Sequence, residues 1–126
     1  MAASLSNVPA LLQQASAVLA RNDLARGEAL LQQARAEEPE NPAVLFFLGH
    51  VRRAQGRTQE AAEFYRHVIR IEPGKPAAYH HLAQLLRGAG HADEAVAVLR
   101  DAVGIAPGDA RTHLELGLAH AAQPDF

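Results

Sequence analysis

The sequence predicts an all-α protein, a solenoid of stacked antiparallel helix pairs, and three observations carry that expectation. The chain repeats itself: residues 41–74 read NPAVLFFLGHVRRAQGRTQEAAEFYRHVIRIEPG, and the next stretch reads KPAAYHHLAQLLRGAGHADEAVAVLRDAVGIAPG. Pro73 and Pro107 lie 34 residues apart, as do Gly56 and Gly90, and Ala61 and Ala95; Pro39 stands one period earlier. Within each period two apolar patterns of helical spacing are joined by a glycine. A period of this size marks stacked repeats, each one supersecondary unit that cannot bury its apolar face alone. The repeats run over about 8–41, 42–75 and 76–109, with a partial fourth or capping helix at 110–126, and form a single domain.

Met1 to Leu5 are expected to fray. Asn7 is placed to cap the first helix, with Pro9 in its first turn. Leu11, Leu12, Ala15, Val18 and Leu19 form one apolar stripe. Asn22 and Asp23 make the turn, and a second helix follows from about Leu24 to Glu37, with Leu24, Leu30, Leu31 and Ala34 inward. Glu37, Glu38 and Glu40 read as a solvated corner around Pro39. Asn41-Pro42 is a capped helix start with proline at the first helical position. Gly49 sits inside that third helix, where its cost of about 1 kcal/mol in helix propensity implies a close approach by a neighbouring helix. Gly56 ends the helix, since glycine tolerates the left-handed conformation there. In the fourth helix Ala61 is small at the crossing and Tyr65 fills the space one turn later. Gly90 and Pro107-Gly108 punctuate the third repeat, and Asp109 caps a seventh helix.

The totals exclude several classes. Formal net charge is −2, which argues against nucleic acid and membrane surfaces as partners. Without cysteine there is no disulfide framework, thiol nucleophile or thiolate metal site. No signal peptide is legible at the start, and no run approaches the roughly 18 apolar residues that span a bilayer. The default expectation is cytoplasmic. Lysine is confined to Lys75 while alanine and arginine abound, a bias expected of a GC-rich bacterial genome.

Those marks in register resemble the tetratricopeptide repeat (TPR) family, whose pattern is W-x2-L-G-x2-Y, then A-x3-F, then P. The second repeat supplies Leu45, Leu48, Gly49, Ala61, Tyr65 and Pro73; the third supplies Tyr79, Leu82, Ala83, Ala95, Leu99, Ala102 and Pro107. The first carries Leu11, Gln14, Ala15, Gly27, Leu31, Ala34 and Pro39, and the partial fourth His113, Leu116 and Gly117. The resemblance implies a right-handed superhelical solenoid whose first helices line a concave groove. It also implies the groove positions: Leu12, Gln13, Ser16 and Leu19; Phe46, Phe47, His50 and Arg53; His80, His81, Gln84 and Arg87; Arg111, Leu114, Glu115 and Leu118.

In this set three arginines and three histidines face one carboxylate. Arginine offers planar, permanently charged donors for a carboxylate or phosphate. Phe46 and Phe47 are not required for core packing in this register, so an aromatic beside an arginine reads as a peptide anchor. The expected partner is another protein or peptide, with an acidic and apolar segment in the groove. The family's carboxylate clamp is not matched, because Leu12 and Ser16, then Phe47, stand where it needs lysine and asparagines. Protonation of His50, His80 and His81 near pH 6 would add positive charge beside Arg53 and Arg87. No fourth ligand accompanies them, so no metal and no cofactor is assigned. His113 and His120 occupy packing positions.

No GxGxxG, P-loop or GxSxG is present, so no enzymatic role is expected of these residues. Residues 123–126 fall in the register of 89–92, the turn into a second helix. That register leads us to expect a fragment of a longer protein, followed by more repeats or a catalytic domain. Two alternatives to a peptide-binding scaffold follow: the non-catalytic arm of a larger bacterial enzyme such as a transferase, or self-association through the apolar C-terminal helix.

Overall fold

A computed structural model describes residues 6–124. Among them lie seven helices and no strand: α1 (Val8–Ala20), α2 (Leu24–Glu37), α3 (Pro42–Ala54), α4 (Thr58–Ile71), α5 (Pro76–Gly88), α6 (Ala92–Ile105) and α7 (Ala110–Ala122). The helices pack as consecutive pairs, α1 with α2, α3 with α4 and α5 with α6, and α7 rests on α5 and α6. The expected fraying of Met1 to Leu5 lies outside the described residues.

Turn chemistry sets the boundaries. Gly56 and Gly90 adopt φ of 76° and 86°, and Asn22 takes φ 62° at the corresponding turn of the first pair. Asparagine is among the few non-glycine residues that visit this region readily. The Asn41 side chain accepts hydrogen bonds from the backbone amides of Ala43 (2.9 Å) and Val44 (3.3 Å), and Asp109 accepts from that of Arg111 (3.2 Å). Asn7 does not cap α1: its backbone is helical and its side chain makes no capping bond. Ser6 Oγ takes that place, accepting from the Val8 amide at 3.1 Å. Ser6 also bonds Glu38, and the Asn7 amide donates to Glu37 Oε1 at 3.2 Å. The acidic corner is therefore engaged on both sides, since Glu40 also meets His67 at 2.7 Å.

The core is a file of small clusters. Val8, Leu11, Ala15, Leu31, Ala34, Val44, Leu48 and Val51 join the first pair to α3. Ala61, Tyr65, Leu82, Ala83, Leu86, Ala95, Leu99 and Ala119 carry the core on through α7. Gly49 makes the close approach its sequence position implied: a Cβ built there would sit 2.6 Å from Tyr65 Cε1. Gly27 performs the same service for Leu19. Between α2 and α3 an ion pair is largely withdrawn from water. Arg52 Nη1 lies 2.8 Å from Glu28 Oε1, and bonding to Arg52 holds the Glu28 carboxyl below its ordinary pKa.

Candidate functional site

Five rings converge where α3 meets α4 and α5. Phe46 and His50 stand one turn apart on α3, with centroids 4.6 Å apart. Across from them, His81 of α5 lies 5.1 Å from Phe46 and 4.8 Å from His50, both in edge-on geometry. Tyr65 reaches in from α4, and Phe47 closes the other side of His50 at 6.1 Å. Edge-to-face contacts at these separations are favourable beyond the area they bury.

The polar atoms of this cluster form a short chain. Tyr65 is fully buried, and its hydroxyl lies 2.7 Å from His50 Nδ1. Burial holds the phenol protonated by raising its pKa, with Arg53 opposing the rise. Burial also lowers the pKa of His50, with the Arg53 charge adding to it. His81 is pushed down to about 4, first by burial and then by the charges of His50, Arg53, Arg111 and His80. Its Nδ1 is buried without a hydrogen-bond partner. The sequence expectation of protonation near pH 6 is therefore corrected: burial and neighbouring charge lower the pKa of His50 and bring that of His81 down to about 4.

The other expected residues differ in their surroundings. Arg53 is exposed on the last turn of α3 and has no carboxylate partner among the described residues. Gln84, Arg87 and Arg111 gather around Glu115: Gln84 Nε2 donates to its Oε1 at 2.9 Å, and Arg87 and Arg111 each lie 3.8 Å away. Glu115 is itself buried, so it anchors the two arginines rather than facing a ligand. His80 is not on the open surface. It is buried between α5 and α7, with Nε2 2.7 Å from Thr112 Oγ1 and 3.3 Å from Asp109 Oδ2. Phe46 and Phe47 are half-buried against core clusters, correcting the expectation that packing needs neither. Phe46 still lines a hollow of about 290 Å³ with Ala43, Val68, Ala77 and Ala78, whose rim carries the Glu72–Lys75 ion pair. Of the first-repeat positions, Leu12 and Leu19 are half-buried, and Gln13 and Ser16 are exposed. His113 and His120 are exposed.

The sequence marks Tyr65 as a core residue, and its hydroxyl is the part of the site that no sequence signal reveals. Among the described residues no group of three His, Asp or Glu side chains is placed to hold a metal ion. No helix among them is long and apolar enough to cross a membrane.

Stacked helix pairs of one 34-residue design, with side chains gathered along one helix of each pair, define a helical-repeat solenoid. Two tetratricopeptide repeat family models match residues 12–76 and 52–116, and the chain belongs to that family. No curated protein matches the sequence at a significant level. Solved structures are similar in fold. The Yersinia enterocolitica type III secretion chaperone SycD, in complex with a peptide of the translocator YopD, superposes with TM-score 0.83 at 18% identity, over 94% of this chain and 95% of that one. MamA from Desulfovibrio magneticus RS-1 gives 0.81 at 23% identity, over 95% and 68%. A Thermobaculum terrenum O-GlcNAc transferase gives 0.78 at 24% identity over 90% of this chain, which spans 22% of the transferase. At these identities the likeness is one of fold alone.

Proposed function

We propose that this chain is a protein-interaction module that holds a peptide segment along the concave face formed by α1, α3, α5 and α7. The observation that carries the reading is Arg53: an exposed guanidinium without a carboxylate partner among the described residues, whose charge reaches the half-buried rings of His50 and His81, with Phe46 two turns earlier on the same helix. A guanidinium next to an aromatic surface suits a carboxylate flanked by an apolar side chain. Phe46 offers the apolar part through the hollow it shares with Ala43 and Ala77. Arg87 and Arg111 supply weaker attraction, because Glu115 already answers part of their charge. The segment is therefore acidic and apolar. From Phe46 to Arg53 the helix rises about 10 Å, which about three residues of extended peptide span. The peptide-bound SycD chaperone offers a precedent of the same fold. No catalytic role is assigned.

A second reading has one observation in its favour, the fold match to a stretch of an O-GlcNAc transferase. There this chain would be the repeat arm of a larger enzyme. One experiment addresses both. Wild type and Arg53→Glu with Arg87→Glu are used as bait in the native lysate, after circular dichroism has established equal helicity. A partner held by wild type and lost by the double variant supports the groove. Equal capture by both sinks the groove assignment, and a native polypeptide in which these repeats continue into a glycosyltransferase domain favours the second reading. Self-association is read from the mass of the purified chain at high micromolar concentration.

A further inference from the structure

Arg52 is a charge where the repeat asks for an apolar side chain. One period before it stands Val18 and one period after it Leu86, both buried. Arg52 is as buried as they are, at 7% exposure. The fold thus has an apolar solution for this place, and a guanidinium withdrawn from water there is costly unless its donors are met. They are met in part. Nη1 lies 2.8 Å from Glu28 Oε1 and donates to Gln55 Oε1 at 2.9 Å. Nε is buried without a hydrogen-bond partner, and Oε1 of Glu60 stands off from it at 3.6 Å.

Arg52 borders a hollow of about 470 Å³ between α2 and α4, the second helices of the first two pairs. The hollow shares none of Phe46, His50, Arg53 or His81 with the groove. Arg35 lines it too, and stands where Ile69 and Val103, both half-buried, stand in the next two repeats. The Arg35 guanidinium lies 5.2 Å from the centroid of the Phe64 ring. Arg70, in the last turn of α4, is the third arginine of the lining. Neither Arg35 nor Arg70 has a carboxylate partner among the described residues. The other charges are mostly answered. Glu60 is bonded by Arg57, and His67 meets Glu40 at 2.7 Å. Glu63 is exposed, about two turns from Arg70 along α4. Two unpaired guanidiniums therefore border the hollow with one unpaired carboxylate, and the buried donor of Arg52 stands beside them.

We propose that this hollow binds a phosphate monoester, its phosphoryl group held by Arg35, Arg52 and Arg70 and its organic part resting against Phe64. A phosphate monoester carries about two negative charges at neutral pH and three acceptor oxygens, so it can engage guanidiniums from three helices at once. A carboxylate is satisfied by one bidentate arginine and would leave the others unmet. The hollow is far larger than a phosphoryl group, which leaves room for the organic part. Either a free small molecule or a phosphorylated protein side chain can present this chemistry. The proposal does not depend on the concave groove.

The test titrates phenyl phosphate into the isotope-labelled whole chain and follows amide and arginine Nε–Hε shifts. Shifts are expected at Arg35, Arg52, Phe64 and Arg70, with saturation below about 10 mM. Benzoate, the carboxylate analogue, should bind at least about tenfold more weakly. Arg35→Gln with Arg70→Gln should weaken phenyl phosphate by at least about tenfold. Arg52→Leu, which puts at this place the residue type that Leu86 supplies one repeat later, should do the same with helicity unchanged. Arg53→Glu should leave binding unchanged. A capped peptide carrying phosphotyrosine separates the sources: tighter binding than phenyl phosphate assigns the site to a phosphorylated side chain, and equal or weaker binding to a free small molecule. No shift at about 10 mM, shifts spread evenly over the arginines of the chain, benzoate bound as tightly as phenyl phosphate, or full binding by Arg35→Gln with Arg70→Gln would each overturn the proposal.

Discussion

Replacing Gly49 by alanine adds one methyl group at the tightest crossing between α3 and α4. That Cβ would stand 2.6, 2.9 and 3.1 Å from Cε1, Cδ1 and Cζ of Tyr65. Carbon atoms prefer about 3.5–4.0 Å, so the ring or the helix must retreat by several tenths of an ångström or more. The ring is poorly placed to retreat: it is fully buried, tied through its hydroxyl to His50 at 2.7 Å, and edge-on to Phe46 at 5.8 Å. Overpacking of this kind costs about 1–3 kcal/mol, against which alanine returns about 1 kcal/mol of helix propensity. The net expectation is a loss of up to about 2 kcal/mol. At Gly117, one full pair of periods later, alanine meets nothing and should gain about 1 kcal/mol. Urea unfolding followed by helical circular dichroism measures both variants against wild type. The third repeat supplies a rescue, because Ala83 and Leu99 occupy the places of Gly49 and Tyr65. Gly49→Ala with Tyr65→Leu should therefore be more stable than the sum of its single changes by about 1 kcal/mol. Strict additivity, or a Gly49→Ala chain more stable than wild type, would refute the reasoning.

Two further predictions concern the buried ring of His81 and the helix caps. His81 is held neutral in the fold down to about pH 4, whereas in the unfolded chain it takes a proton near its ordinary value of 6.5. Its folded pKa is depressed, so the unfolded state binds the extra proton and stability declines as pH falls from about 6.5 towards 4. Allowing for screening of a partly exposed ring, the loss is about 1–2 kcal/mol; urea midpoints at neutral and mildly acidic pH should show it in wild type and less of it in His81→Gln. A wild-type stability flat over that range would contradict the buried, cation-flanked placement of His81. Asn41→Ala removes two capping bonds and should cost about 1 kcal/mol, while Asn7→Ala, at a helix start capped by Ser6, should cost little; thermal midpoints of the two variants distinguish the cases.

The features the sequence signalled correctly are local ones. Gly56 and Gly90 adopt the left-handed conformation because a helix must stop and reverse within three residues, and no neighbour is needed to decide that. The Asn41-Pro42 start and the Asp23–Leu24 boundary are equally local, set by a side chain that bonds amides two or three residues on. Gly49 was legible because a glycine amid helix-forming residues needs a reason, and the structure supplies that reason in Tyr65. At the start of α1 local rules compete: Asn7 is an acceptable cap, but Ser6 holds that place while also bonding Glu38 just past the end of α2.

The candidate site was legible as a face rather than as a set of contacts. The period placed His50, His81, Arg53 and Arg87 on one side of the array. It carried no information that His80 would turn towards Thr112, or that Glu115 would be buried and draw Gln84, Arg87 and Arg111 to itself. Apart from the Arg111–Glu115 pair within α7, those contacts join residues about thirty positions apart in different repeats, and their strength depends on how much water each repeat excludes from the next. Sequence alone thus determined the all-α repeat, its helix boundaries and its packing register, because these follow from backbone rules and periodicity. The stacked structure decided which groove cation stays unpaired, which histidines stay neutral and which arginine is buried, because charge, solvation and shape there are set across repeats.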